Sequence, residues 1–186
     1  LIVFGKAASI TASKKIKPNS SKFELSDNAS EQTLDRFDKI RFNKGTTSSG
    51  EIRISMQKIM QQKCSVFRTK DLIDEGIEEF SQIDSSMRSI NVKDKSLIFN
   101  TDLVEALELE NLIAQSKVTL HSALNRTESR GAHAREDYKM RDDTNWLVHS
   151  LSWLGQDGKV KMGKRPVHMN TLTNNIQSIP PKKRVY

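Results

Sequence analysis

A chain of 186 residues with 35% hydrophobic and 28% charged side chains is long enough for one ordinary core or two small ones. No apolar run approaches the roughly 20 residues needed to span a bilayer, and "LIVF" at the start is too short for a signal-peptide core. A single cysteine, Cys64, excludes an internal disulfide, and with only four dispersed histidines it argues against a structural zinc site.

The formal net charge of +7 is concentrated at the ends. From Lys159 onward the chain has five Lys and two Arg with no acid, and the first eighteen residues have four Lys with no acid, so the body between them is net negative. Charge placed this way is a weak footprint for nucleic acid. Trp146, Trp153 and Tyr186 are not interleaved with the basic residues, as stacking platforms would be. Solvated surface or protein contact is therefore the favoured reading of the basic tail, with no nucleic-acid partner.

In chain order, residues 1–13, "LIVFGKAASITAS", are Ala-rich and apolar on most sides, as suits the first turns of a buried helix. Residues 14–48 turn to Lys, Ser, Asn, Asp and Gly and read as a linker, with a short turn of structure where Leu34, Phe37 and Ile40 step by three. Three amphipathic helices follow. The first carries Ile52, Met56, Ile59, Met60 and Cys64 on one face. The second starts after Thr69 as N-cap and carries Leu72, Ile73, Ile77, Phe80, Ile83 and Met87, with Gly76 marking a close crossing. The third, capped by Asn100 or Thr101, carries Leu103, Leu107, Ile113, Ala114, Val118 and Leu124. Together they predict a small bundle over residues 49–136. Residues 137–186 then predict an antiparallel hairpin, with "HSLSW" and "VKMGKR" either side of "GQDG", and a tail whose two adjacent prolines favour an extended course. The fold class is mainly α.

"ESRGAHAREDY", Glu128 to Tyr138, packs six ionisable side chains besides the tyrosine into eleven residues around one glycine. His133 and Glu136 are spaced for a general acid/base pair. No nucleophile elbow, glycine-rich phosphate loop or HExxH spacing accompanies them, which favours a network of caps and ion pairs at a helix end. Gly131 is placed where a left-handed residue commonly ends a helix.

Several stretches taken together resemble the C-terminal third of the succinate dehydrogenase flavoprotein family. They are "LIVFGKAA", "FDKIRF", "ISMQKIMQQKCSVFR", "NTDLVEALELENLI", "ESRGAHAREDY" and "RPV…TL…IPPKKRVY", in the family's order. Fumarate reductase and L-aspartate oxidase flavoproteins share a shorter relative of "ESRGAHAREDY". The resemblance implies a subunit that passes a hydride from succinate to FAD and a proton to an arginine base, with electrons going on through an iron-sulfur subunit to quinone in a membrane anchor. It implies that the flavin-linking, proton-accepting and dinucleotide-binding residues lie upstream of Leu1, so no catalytic residue and no metal ligand is assigned to this chain.

What the resemblance does imply here is architectural. Residues 1–13 become the last helix of an FAD-binding domain, with Leu1 and Ile2 near its flavin-facing start, where the helix dipole favours negative charge. Arg130, His133, Arg135 and Glu136, with Arg184 near the end, become a polar joint against the flavin and capping domains. FAD is held mainly by the remaining N-terminal portion, which belongs to the same polypeptide or to a separate chain that reassembles with this one. The implied location is the matrix side of the mitochondrial inner membrane, or the cytoplasmic side of a bacterial one. Lys6 departs from the family's usual Arg, residues 13–32 have no clear match, and the segment from Met140 to Gly163 diverges. The alternatives are a fumarate reductase or aspartate oxidase relative, and a non-catalytic basic interaction module that kept this domain.

Overall fold

The structure, a computed structural model, describes residues 1–20 and 24–182. About half of the chain is helical, and it divides into two compact units, Leu1–Arg36 and Phe37–Tyr186. No described helix is long and apolar enough to cross a membrane.

The first unit contains helix α1, Ile2–Lys15. Lys14 and Lys15 sit in its last turn, where cations complement the helix dipole, but none of its residues is buried. Leu1, Ile2, Val3 and Phe4 are almost wholly exposed. Helix α2, Glu31–Arg41, replaces the expected linker turn. Of its three spaced apolar residues, Ile40 is buried and Phe37 packs on the core, whereas Leu34 is exposed.

The second unit is built on three helices: α3, Ser49–Lys63; α4, Lys70–Arg88; and α5, Thr101–Asn125. Each start is fixed by a short polar side chain accepting from an otherwise unpaired N–H. Ser48 and Glu51 form a reciprocal capping box on α3, Thr69 Oγ1 accepts from Leu72, and Asn100 Oδ1 accepts from Leu103 at 2.8 Å. Asn100 also donates to the carbonyls of Asp94 and Ser96 at 2.7 and 2.8 Å, so one buried amide pins the loop and starts α5.

Ile52, Met56, Ile59 and Cys64 of the α3 region are buried as their spacing predicts. Helix α4 buries Ile73, Gly76, Phe80 and Ile83. At Gly76 a Cβ would lie 2.7 Å from Lys63 Cβ and 3.3 Å from Leu120 Cδ2, so the glycine lets three helices meet. The buried face of α5 is Leu103, Ala106, Leu109, Ile113, Ser116, Leu120 and Ala123. Only Leu103 and Ile113 were among the expected buried residues; Leu107, Ala114, Val118 and Leu124 lie at its margins.

Two small sheets complete the unit. Strands β1, Phe67–Arg68, and β2, Ala134–Arg135, pair in parallel and tie the start of α4 to the segment after α5. After the single-turn helix α6, Asp143–Trp146, strands β3, Val148–Leu154, and β4, Val160–Pro166, form the expected antiparallel hairpin. Most of residues 167–182 run on without helix or strand.

Candidate functional site

The motif from Glu128 to Tyr138 lies where the C-terminus of α5, the N-terminus of α4 and the α6 turn converge. Arg135 is its centre and is almost fully buried. Its Nη1 donates to the carbonyls of Ala123 and Leu124 at 2.9 and 3.2 Å, which have no further helical turn to pair with. Its Nε and Nη2 donate to the two oxygens of Asp137 at 2.8 and 2.7 Å. Asp137 in turn accepts from the Lys70 N–H at 2.8 Å, in the first turn of α4. The pair thus sets a cation on the negative end of α5 and an anion on the positive end of α4. The Arg135 guanidinium, desolvation opposing it, holds the Asp137 carboxyl down to about 2.

A second pair stands beside it. Glu128 is fully buried and accepts from Arg130 Nε and Nη2 at 2.8 and 3.1 Å and from the Asp142 N–H at 2.8 Å. Arg130 also reaches Asp143 at 2.6 Å, and these bonds to carboxylates hold its pKa above the ordinary arginine value. Arg126 donates to the carbonyls of Trp146 and Val148 and lies over the Trp146 ring, so α6 and β3 are fastened to the end of α5. Burial outweighs the nearby Glu128 and pulls the Arg126 pKa down.

His133 sits between these cations, and its tautomer follows from its neighbours. Arg68 Nη1 lies 2.9 Å from Nδ1, and a guanidinium only donates, so Nδ1 accepts. Nε2 therefore carries the proton and donates to the Arg126 carbonyl at 3.0 Å. Burial first, then the charges of Arg68, Arg135 and Arg126, push the His133 pKa down against that hydrogen bond, and the ring is held neutral. A base already committed at both nitrogens is a structural bracket.

The remaining expected site residues fall elsewhere. The Glu136 side chain is exposed and makes no hydrogen bond or ion pair among the described residues, although its N–H donates to the Arg68 carbonyl at 2.8 Å. Gly131 does not end α5, whose C-cap is Arg126. It lies in a tight turn in which Arg130 and His133 exchange backbone hydrogen bonds, with φ of 59° supplying the left-handed step. Leu1 and Ile2 start α1 fully open to solvent, and Arg184 lies outside the described residues. Sequence reasoning placed Glu128 and Asp137 in the charged cluster without naming them in the joint, and it did not bring in Arg68 or Arg126. The two-residue spacing of opposite charges in "ESR" and "RED" was the available signal for the first two.

An open cleft of about 580 Å³ lies between α5 and the hairpin, lined among others by Arg68, Arg126, His133, Trp146 and Ser150. The buried Ser150 Oγ has no hydrogen-bond partner among the described residues. No glycine-rich phosphate loop is present in the sequence, and the first turn of α1 carries apolar side chains.

The sequence profile described as "Fumarate reductase flavoprotein C-term" matches residues 53–186, which include the whole network. The chain belongs to that family. Along all 186 residues it is 50% identical to the succinate dehydrogenase flavoprotein subunit of Rickettsia bellii, of which it covers 31%. It is 42% identical over its full length to the mitochondrial succinate dehydrogenase [ubiquinone] flavoprotein subunit of Oryza sativa, covering 29% of that protein. The chain thus spans about a third of the length of the curated relatives it matches. Among solved family structures, a quinol fumarate reductase of E. coli superposes with a TM-score of 0.77 at 28% identity, over 97% of this chain and 29% of that one. A quinol-fumarate reductase with menaquinol molecules gives a TM-score of 0.82 at 29% identity, over 92% of this chain and 30% of that one.

Proposed function

We propose that this chain is the C-terminal portion of the flavoprotein subunit of succinate dehydrogenase, and that it completes the FAD-bearing subunit without itself carrying the chemistry. The observation that carries this reading is the 50% identity along the entire chain to the Rickettsia bellii subunit. A fumarate reductase assignment is weaker, since the Haemophilus influenzae flavoprotein of that class is 29% identical over a similar length.

In this reading residues 1–13 belong to the FAD-binding domain, with Leu1 and Ile2 at the flavin-facing start of α1. Its open apolar first turn supports that, because exposed Leu1, Ile2, Val3 and Phe4 form a surface that needs covering. The same turn disfavours a free-standing basic interaction module. FAD, when held by the whole subunit, supplies the acceptor for the hydride of succinate. The contribution of this chain is rigidity: Arg130, His133 and Arg135 lock three element ends together, and with Glu136 and Arg184 they form the joint against the flavin-bearing and capping domains. The proposed partners are the FAD-bearing portion, an iron-sulfur subunit and, indirectly, membrane anchor subunits. The proposed location is the matrix side of the mitochondrial inner membrane or the cytoplasmic side of a bacterial membrane.

Native purification, with mass spectrometry of co-purifying chains and a flavin absorbance spectrum, tests this. Recovery with a flavin-bearing polypeptide and an iron-sulfur subunit is expected. Recovery free of flavin, with unrelated partners, overturns it.

A further inference from the structure

The cross-strand register of the hairpin produces an arrangement that the linear sequence hides. His149 faces Arg165, Leu151 faces Gly163 and Trp153 faces Lys161. Directly opposed residues share one side of a sheet, so these six make a single surface. Val148 and Ser150, on the alternate side, border the cleft with Val118, Thr119 and Ser122 of α5; His149 reaches the rim of that cleft as well, whereas Trp153, Lys161 and Arg165 do not line it. His149, Trp153, Lys161 and Arg165 are exposed, Trp153 at 52%.

Gly163 allows the tryptophan to lie down. A Cβ there would come within 2.9 Å of the Trp153 ring, so the indole packs against the bare backbone of β4 while about half of the residue stays open to solvent. Lys161 and Arg165 stand on either side of Gly163 along β4, roughly 13 Å apart at extended-strand rise. Among the described residues neither side chain has an acidic partner, and no acid belongs to this face. The nearby Asp157 is committed to the turn, accepting from the Lys159 N–H at 3.1 Å.

We propose that this face is a docking surface for single-stranded nucleic acid, with a base stacked on Trp153 and backbone phosphates held by Lys161 and Arg165. Charge complementarity requires an anionic partner. The half-exposed tryptophan between two cations favours one that carries planar bases along with its phosphates over a purely acidic peptide. This revises the expectation that the aromatic and basic residues are not interleaved: they are interleaved across strands. No residue of the polar joint belongs to this face.

The test is fluorescence anisotropy of a labelled oligo(dT) of about twelve nucleotides with the purified protein in its native assembly, run with Trp153→Ala, Trp153→Phe and the double variant Lys161→Glu/Arg165→Glu. All three positions are exposed, and circular dichroism checks that folding is retained. Saturable binding with quenching of tryptophan fluorescence is expected, and Trp146, at 6% exposure beneath Lys164, contributes little to that change. Trp153→Ala should weaken binding by roughly 5- to 150-fold, with Trp153→Phe within about threefold of wild type. The double variant should reduce the slope of log affinity against log salt by about 1.4, for two lost phosphate contacts. Binding unaffected by Trp153→Ala overturns the proposal, as does equal competition by polyglutamate. Binding to phosphatidylserine vesicles in place of the oligonucleotide also overturns it, in favour of a membrane surface.

Discussion

Arg135 concentrates much of the joint in one side chain. Replacing it with Met leaves the Asp137 carboxylate without its cation and the buried Ala123 carbonyl without its donor. Because Asp137 remains accessible to water, the main penalty is the unpaired buried carbonyl, about 1–3 kcal/mol, seen as a lowered unfolding midpoint in urea. Lys restores the charge without the planar fork and should recover only part of the loss. The depressed Asp137 pKa adds an acid dependence. Its contribution is present above the unfolded value near 3.8 and is lost as pH falls through about 2.

His133 acts in a higher window. Its folded pKa lies below the ordinary 6.5, so the unfolded chain binds more protons in that range and stability falls as pH drops from about 6.5 through the folded value. Gln offers an acceptor for Arg68 and a donor for the Arg126 carbonyl without titrating. Urea midpoints of His133→Gln compared between pH 7.5 and pH 5, roughly spanning the histidine range, should shift less than those of wild type. Some dependence will remain from His121, whose pKa burial and Lys117 also lower. An unchanged pH slope in the variant would show that His133 is not held neutral by this bracket. Of the joint, the sequence displayed the charged cluster and its place after a helix. It could not display that Glu128 is buried or that His133 is bonded at both nitrogens, because partners such as Arg68 and Asp142 come from distant turns.

At the scale of elements, legibility followed the strength of the apolar contrast. Helix α3 alternates large apolar and polar residues, and its buried face was read correctly. Helix α5 buries Ala106, Ser116 and Ala123 through small side chains, while larger apolar residues stand beside the stripe, so the expected face was rotated toward Leu107 and Val118. Strands of two residues, such as β1 and β2, are too short to show alternation. The glycine signal in α4 was sound. Gly76→Ala gains about 1 kcal/mol of helix propensity but forces a Cβ to within 2.7 Å of Lys63 Cβ. Relief of that contact should cost roughly 1–3 kcal/mol and leave the variant less stable overall, as thermal unfolding would register. A more stable variant would mean that α3 and α4 separate more easily than their packing implies.

For the whole molecule, fold class and family were both legible, through the order of short motifs more than through composition. The net charge of +7 was less informative, since its meaning depends on which strand faces which. The open first turn of α1 carries an expectation of its own. Phe4→Glu should leave the bundle and hairpin folded yet reduce recovery of the flavin-bearing portion several-fold in native purification, as burying an unpaired carboxylate at an interface is costly. Equal recovery would place the contact elsewhere.

Adding succinate to the natively purified assembly under anaerobic conditions, and following flavin absorbance, tests whether this chain completes a succinate-oxidising flavoprotein. The expected result is bleaching of the oxidised flavin by succinate, in a preparation that contains this chain together with the flavin-bearing portion. A preparation with this chain present and no flavin, or a flavin whose spectrum succinate leaves unchanged, would contradict it.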